Sequence, residues 1–239
     1  MSLKAVTFDC AQTLVEVLWN PVQIALDAAE SAGIPLDRQV AGEQYMRLFQ
    51  GRQHDYFEVS QKGFETYDAW WVGLTRDWLT PLGFDQDLDQ VVRNANRIIY
   101  GSENPAEPAL IGEGDQCPGI FVAYPGVREL ITSLRQRGLK IGLLSNWDIS
   151  LHRIVKMHGW ADLFDVVIAS HEFGAEKPDP RIFLHACNLL GSKPEETLHV
   201  GDNPIDDIQG ARAAGLHALL VDHDDKGFAE VEATVNALS

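Results

Sequence analysis

The chain has 239 residues, enough for one large or two moderate domains with a buried core. Hydrophobic residues make up 45% and charged residues 23%, an ordinary globular balance, and no apolar run approaches the roughly 20 residues that span a bilayer. With 19 basic against 35 acidic residues the formal net charge is −16, which opposes nucleic acid and membrane surfaces as partners. An anionic substrate must then be met by local cations, helix N-termini or a metal. The three cysteines, Cys10, Cys117 and Cys187, are odd in number and far apart, so a disulfide framework is not expected. Charged Asp9 comes too early for a secretory leader, and a cytoplasmic chain is expected.

In chain order, Ala5 to Phe8 reads as a short buried strand that ends abruptly at Asp9. Helical patterning follows Leu14. Asn20-Pro21 supplies an N-cap and first-turn proline, and Gly33-Ile34-Pro35 ends that helix. Further helices are expected over 37–50, from Tyr67 to Leu79, and from Leu88 to Tyr100, with a polar stretch from Gly51 to Gly63 between the first two. This helix-rich segment fits a small bundle inserted after the first strand, with the tryptophans as its core or seam. Residues 101–123 are punctuated by glycine and proline and read as a linker.

From Tyr124 onward strands and helices alternate with short connections. Strands are expected at Leu139–Leu144, Val166–Ala169, Thr197–Val200 and Ala218–Val221, each preceded or followed by a helix. That rhythm means an α/β fold with a doubly wound parallel sheet. The expected division is an α/β domain of residues 1–16 and 110–239, with 17–109 as an inserted helical cap.

In such sheets ligands sit beyond the carboxyl ends of the strands. Asp9 with Thr13, Ser145 with Asn146, Lys177, and Asp202 with Asp206 and Asp207 would all gather at that edge. Together they supply a carboxylate nucleophile, a hydroxyl donor, one fixed cation and an acidic metal pocket. That inventory suits phosphoryl transfer, where catalysis is mostly positioning and charge stabilisation. Taken alone, Asp9 reads equally well as a turn or helix cap.

Four stretches resemble the motifs of the haloacid dehalogenase superfamily, in order and with family-like spacing. They are Phe8-Asp9-Cys10-Ala11-Gln12-Thr13-Leu14, Leu143-Leu144-Ser145-Asn146, Lys177-Pro178-Asp179-Pro180, and His199 through Asp207. The helical insert resembles the family's C1-type cap, and Tyr67-Asp68-Ala69-Trp70-Trp71 is similar to the haloacid-dehalogenase-like hydrolase domain-containing branch. The resemblance implies a hydrolase acting on a small phosphorylated metabolite. In it Asp9 attacks phosphorus and forms an aspartyl-phosphate, while Ser145 and Asn146 hold phosphoryl oxygens. Lys177 neutralises charge at both places. Asp9, Asp202 and the carbonyl of Ala11 would hold Mg²⁺, an ion that favours hard oxygen ligands. Thr13, Asp206 and Asp207 would support them from behind; for Asp206 and Asp207, helix capping is an equal alternative.

One position departs from the family's phosphatases. Two residues after the nucleophile they carry a second Asp as general acid–base; here it is Ala11, which holds no proton. Such assistance is worth roughly 10²- to 10⁴-fold. Three readings follow: a phosphohydrolase that takes its proton from the cap (the stretch His54 to Lys62), water or substrate, or that relies on a good leaving group; a phosphonatase-like enzyme using Lys62; or a binding or regulatory protein on an impaired scaffold. A dehalogenase is less favoured, because the Gly201-Asp202 loop keeps a metal-type acidic character. A homodimer through the tryptophan-rich insert is compatible with the pattern.

Overall fold

The structure, a computed structural model, describes residues 2–86, 88–110, 120–224 and 227–238. The chain divides into two compact units: Met1–Val17, Val122–Val155 and Gly159–Ser239 form one, and Leu18–Phe121 with Lys156–His158 form the other. Cys117 and much of the segment read as a linker lie outside the described residues. No described helix is long and apolar enough to cross a membrane.

The chain opens with β1 (Ala5–Phe8), buried at every position. A second short strand, β2 (Val15–Val17), occupies a stretch whose pattern suggested helix. Its two β-branched residues flank Glu16, the alternation a pleated strand needs, and β2 pairs with β3 (Phe121–Ala123).

The helical unit holds α1 (Pro21–Ser31), α2 (Arg38–Gly51), α3 (Gln53–Gln61), α4 (Phe64–Leu79) and α5 (Leu88–Tyr100). Asn20 caps α1 by accepting from the Gln23 amide at 3.0 Å, and Asp37 caps α2 through the Gln39 and Val40 amides. The segment read as polar, 51–63, is largely α3. Tyr56 and Ser60 lie one turn apart, and the Tyr56 ring packs 5.0 Å from Trp70 and 5.6 Å from Trp71. The two partners come from α4, so the pattern of α3 read alone was too polar to reveal the helix. Ala28, Ala29, Leu74, Trp78, Leu79 and Val91 form the buried centre. Trp78 Nε1 donates to the Ala41 carbonyl at 2.9 Å, which satisfies its one polar atom in the core.

The α/β unit continues with α6 (Val127–Gln136), β4 (Lys140–Ser145), α7 (Leu151–Met157), β5 (Val166–Ala169), α8 (Ser170–Phe173), α9 (Pro180–Leu190), β6 (Thr197–Gly201), α10 (Gly210–Ala213), β7 (His217–Leu220) and α11 (Ala229–Leu238). The helix α11, unread in the sequence, buries Val231 and Val235 one turn apart. The strands form one parallel sheet in the order β5-β4-β1-β6-β7, flanked by helices as a doubly wound sheet should be.

Register decides where chemistry can occur. Phe8 pairs with Leu143 on one side and Val200 on the other. Asp9, Ser145 and Asp202 therefore leave neighbouring strands at one edge, beyond the carboxyl end of the central strand. Chain connections diverge to either side of β1, which makes this edge the expected ligand crevice.

Candidate active site

The site is built on three buried charges in a row. Asp9 Oδ1 accepts from Ser145 Oγ at 2.8 Å and from Lys177 Nζ at 2.5 Å. The same ammonium donates to Asp207 Oδ1 at 2.5 Å. Asp207 also takes the His199 Nε2 proton at 3.1 Å and the Asn203 amide proton at 2.9 Å. On its other ring nitrogen His199 accepts from the Thr7 hydroxyl at 2.9 Å. A neutral imidazole with its proton on Nε2 satisfies both bonds, and full burial holds its pKa below the ordinary value.

Local chain geometry explains why Asp207 arrives there. Residues Pro204–Gln209 wind as a π-helix, capped by Asn203 through the amides of Ile205 and Asp206. This wide turn carries Asp207 back over the end of β6. A Cβ at Gly201 would collide with the Asp207 carboxyl carbon, so only glycine leaves room. The next turn also lies close to the Lys177 loop and α9: a Cβ at Gly210 would lie 2.9 Å from Pro178 Cα and 2.9 Å from Phe183 Cε2.

Asn146 is spent on structure. Its Nδ2 donates to the Lys177 carbonyl at 2.9 Å and its Oδ1 accepts from the Lys177 amide at 2.7 Å. This paired clasp fixes the backbone of Lys177. Thr13, fully buried, donates from Oγ1 to Asp202 Oδ1 at 3.2 Å. Asp206 is bonded instead to Asn203 Nδ2 at 3.1 Å.

The electrostatics follow from this packing. Burial pushes the Lys177 pKa down, but the Asp9 and Asp207 charges outweigh it, and the net displacement is upward. Burial pushes Asp207 up, but the His199 hydrogen bond and the Lys177 charge bring it well below the carboxylate range. Asp202 moves the opposite way: burial, then the charges of Asp9 and Asp207, raise it. Cys10, wholly buried, has its thiol raised well above its ordinary value by burial and then by Asp9, which makes it a poor nucleophile.

Carboxylate oxygens of Asp9, Asp202 and Asp207 lie within 4.8 Å of one another. Three carboxylates around one ammonium leave uncompensated negative charge, and that donor set fits a hard divalent cation. The roles of Thr7 and His199 were not legible in the sequence. Their one signal was a polar residue between apolar neighbours, Val6 and Phe8 around Thr7, Leu198 and Val200 around His199.

Lys62 and the stretch from His54 belong to the other unit. Lys62 is exposed and pairs with Glu58 at 3.5 Å. A Schiff-base lysine is normally desolvated or set beside another cation, and neither description fits Lys62 within its own unit.

The architecture and the strand-end carboxylates together define a hydrolase of the haloacid dehalogenase fold. The model of the haloacid dehalogenase-like hydrolase family matches residues 3–215, and the chain belongs to that family. Haloacid dehalogenase-like hydrolase domain-containing protein 3 of Bos taurus is 27% identical over 222 residues, covering 92% of this chain and 82% of its own. A glyceraldehyde 3-phosphate phosphatase of Methanothermobacter thermautotrophicus is 28% identical over 233 residues, covering 93% and 87%. Among solved structures, the 2-haloacid dehalogenase of Pseudomonas syringae pv. Tomato shares the fold with a TM-score of 0.61 at 22% identity, covering 95% of this chain and 90% of that one.

Proposed function

We propose that this hydrolase cleaves a small phosphorylated metabolite through an aspartyl-phosphate on Asp9. The observation that carries the reading is the Ser145–Asp9–Lys177 contact. Among the described residues both side-chain hydrogen bonds to Asp9 land on Oδ1, which leaves Oδ2 for the phosphorus. The phosphatase among the relatives supports the reaction class.

In this mechanism Asp9 Oδ2 forms a bond to phosphorus while the bond to the leaving oxygen breaks. Lys177 offsets the charge gathering on the phosphoryl oxygens. Ser145 fixes the Asp9 rotamer in the free enzyme; when substrate binds, its one hydroxyl proton turns to a phosphoryl oxygen, beside a donor from the Asn146 main chain. Water then attacks the acyl phosphate, releasing inorganic phosphate and restoring Asp9. Asp9, Asp202 and the Ala11 carbonyl would hold Mg²⁺, with Asp207 and Thr13 behind them; that ion supplies charge neutralisation for the phosphoryl group. Ala11 has no proton to give the departing oxygen. Substrates with good leaving groups, such as aryl or acyl phosphates, are therefore favoured over alkyl esters.

The test is phosphate release from an aryl phosphate with and without Mg²⁺. Turnover that requires the ion and disappears in Asp9→Asn is the expected result. The missing acid at Ala11 favours a second reading, a binding or regulatory protein on the same scaffold. No turnover across aryl, acyl and alkyl phosphates, with wild type and Ala11→Asp alike, selects it.

A further inference from the structure

The loop from Cys10 to Leu14 is held from outside by two side chains distant in sequence. His223, in the segment after β7, meets the Thr13 carbonyl with Nε2 at 2.9 Å. A carbonyl only accepts, so Nε2 carries the proton. The Tyr124 ring lies flat on the His223 imidazole, with centroids 3.5 Å apart and planes 10° from parallel. Phe228 meets the same imidazole edge-on, with centroids 5.0 Å apart. Tyr124 is tied to the same loop twice: its amide donates to the Leu14 carbonyl at 3.0 Å, and its hydroxyl donates to Gln12 Oε1 at 3.3 Å.

What this clasp holds is unusual backbone. Gln12 sits at φ +56°, the one non-glycine residue with positive φ among those described. Such a conformation persists only where its surroundings enforce it, and it tends to occur at functional sites. Next to it, Thr13 faces both ways. Its carbonyl is bound by His223, and its hydroxyl donates to Asp202 Oδ1. His223 and Asp202 are thus joined through one residue, Thr13, by its carbonyl and its hydroxyl, and the far partner is a carboxylate of the acidic cluster.

We infer that His223, braced by Tyr124, is a positioning residue that sets the Asp202 carboxylate and the Ala11–Thr13 backbone for a divalent cation. The inference rests on the metal site of the proposed function. His223 touches neither the cation nor the substrate; it acts through Thr13. Groups bonded directly to a metal ligand, as Thr13 is to Asp202, are worth about 10- to 100-fold in metal affinity, and His223, which holds Thr13, should act at the low end of that range.

The test is Mn²⁺ titration of the folded protein, with free Mn²⁺ read by electron paramagnetic resonance at one fixed pH. His223→Phe keeps the stacked ring and loses the donor, and it should weaken Mn²⁺ binding about tenfold. His223→Gln keeps a donor at nearly the same reach and should restore binding to within about threefold of wild type. Tyr124→Phe keeps the stack and loses only the Gln12 bond; it should weaken binding by a smaller factor, and it serves if His223→Phe does not fold. A purely structural His223 would lower the melting temperature and leave the Mn²⁺ affinity of the folded fraction alone. Wild-type binding with His223→Phe, or Tyr124→Phe in its place, unaltered overturns the clasp while sparing the metal site. Binding by wild type that Asp202→Asn does not weaken, or no binding at all, overturns the metal site and the clasp with it.

Discussion

Lys177 Nζ lies 2.5 Å from Asp207 Oδ1, with both side chains all but closed to solvent at 2% and 1% exposure. The contact makes Asp207 a holder of the lysine as much as a member of the acidic cluster. Removing one partner of a buried pair leaves an uncompensated charge, which costs about 3–5 kcal/mol. Lys177→Met strands the buried Asp9 and Asp207 carboxylates, so it should cost about that much in urea unfolding and abolish turnover, whereas Asp207→Asn should cost less, because Lys177 keeps Asp9 as a partner. In the double variant the two costs should fall short of additive, because one interaction is lost twice in the sum. Full additivity would show that the two groups are not coupled.

Gly201 has a different vulnerability. Its missing Cβ is the space that the Asp207 carboxyl occupies. Gly201→Ala should cost about 1–3 kcal/mol by overpacking and should displace Asp207 from Lys177. Gly51, at the end of α2, is the comparison, since a Cβ there would meet nothing within 4 Å. Gly51→Ala should be neutral or stabilise by about 0.5–1 kcal/mol. Thermal unfolding of the two variants side by side should show opposite signs.

Ala11 sits where a proton donor would help an alkoxide leave. Ala11→Asp should raise turnover of alkyl phosphates by about 10²-fold or more, with little gain on aryl phosphates that need no acid. Steady-state kinetics on one alkyl and one aryl ester read the difference. An equal gain on both would mean that the new carboxylate acts through the metal site and not as an acid.

His158 is 6% exposed, and its burial lowers its pKa to about 4, against a smaller upward pull from a hydrogen bond to the Phe121 backbone. Well above pH 6.5 the imidazole is neutral both folded and unfolded, and it has no effect on the pH dependence. As pH falls from 6.5 toward 4, the unfolded chain takes up a proton that the folded chain refuses, and stability is lost. The full loss is on the order of 3 kcal/mol, complete below about pH 4. His158→Gln should flatten the urea-measured stability profile in that window alone. A profile unchanged from wild type would mean that His158 charges readily in the folded state.

Much of this was legible in the residues alone. Ala5–Phe8 is apolar but for Thr7 and buried at every position because a central parallel strand is covered on both faces, and a carboxylate directly after such a run falls at the sheet edge. Asn20-Pro21 and Asp179-Pro180 name their helix starts through local chemistry, N-cap then fixed φ, that needs no tertiary partner. The same holds for the strand–helix rhythm from Tyr124 on, and for the position of Asp9, Ser145 and Asp202 at three strand ends with Lys177 in a neighbouring loop. Tertiary structure decided the rest, because the deciding partners are far apart in the chain. The helix α3 was hidden because its buried face is defined by rings on α4. Asn146 proved to be a clasp on Lys177 only when residues 31 positions apart met. The division between Asp206 and Asp207, adjacent and chemically identical, was made by a π-turn that carries one carboxylate inward to Lys177 and His199 and leaves the other on Asn203. A sequence states which groups are present near an edge; which of them share a proton, a charge or a cation is fixed by distances of about 3 Å that only the packed chain creates.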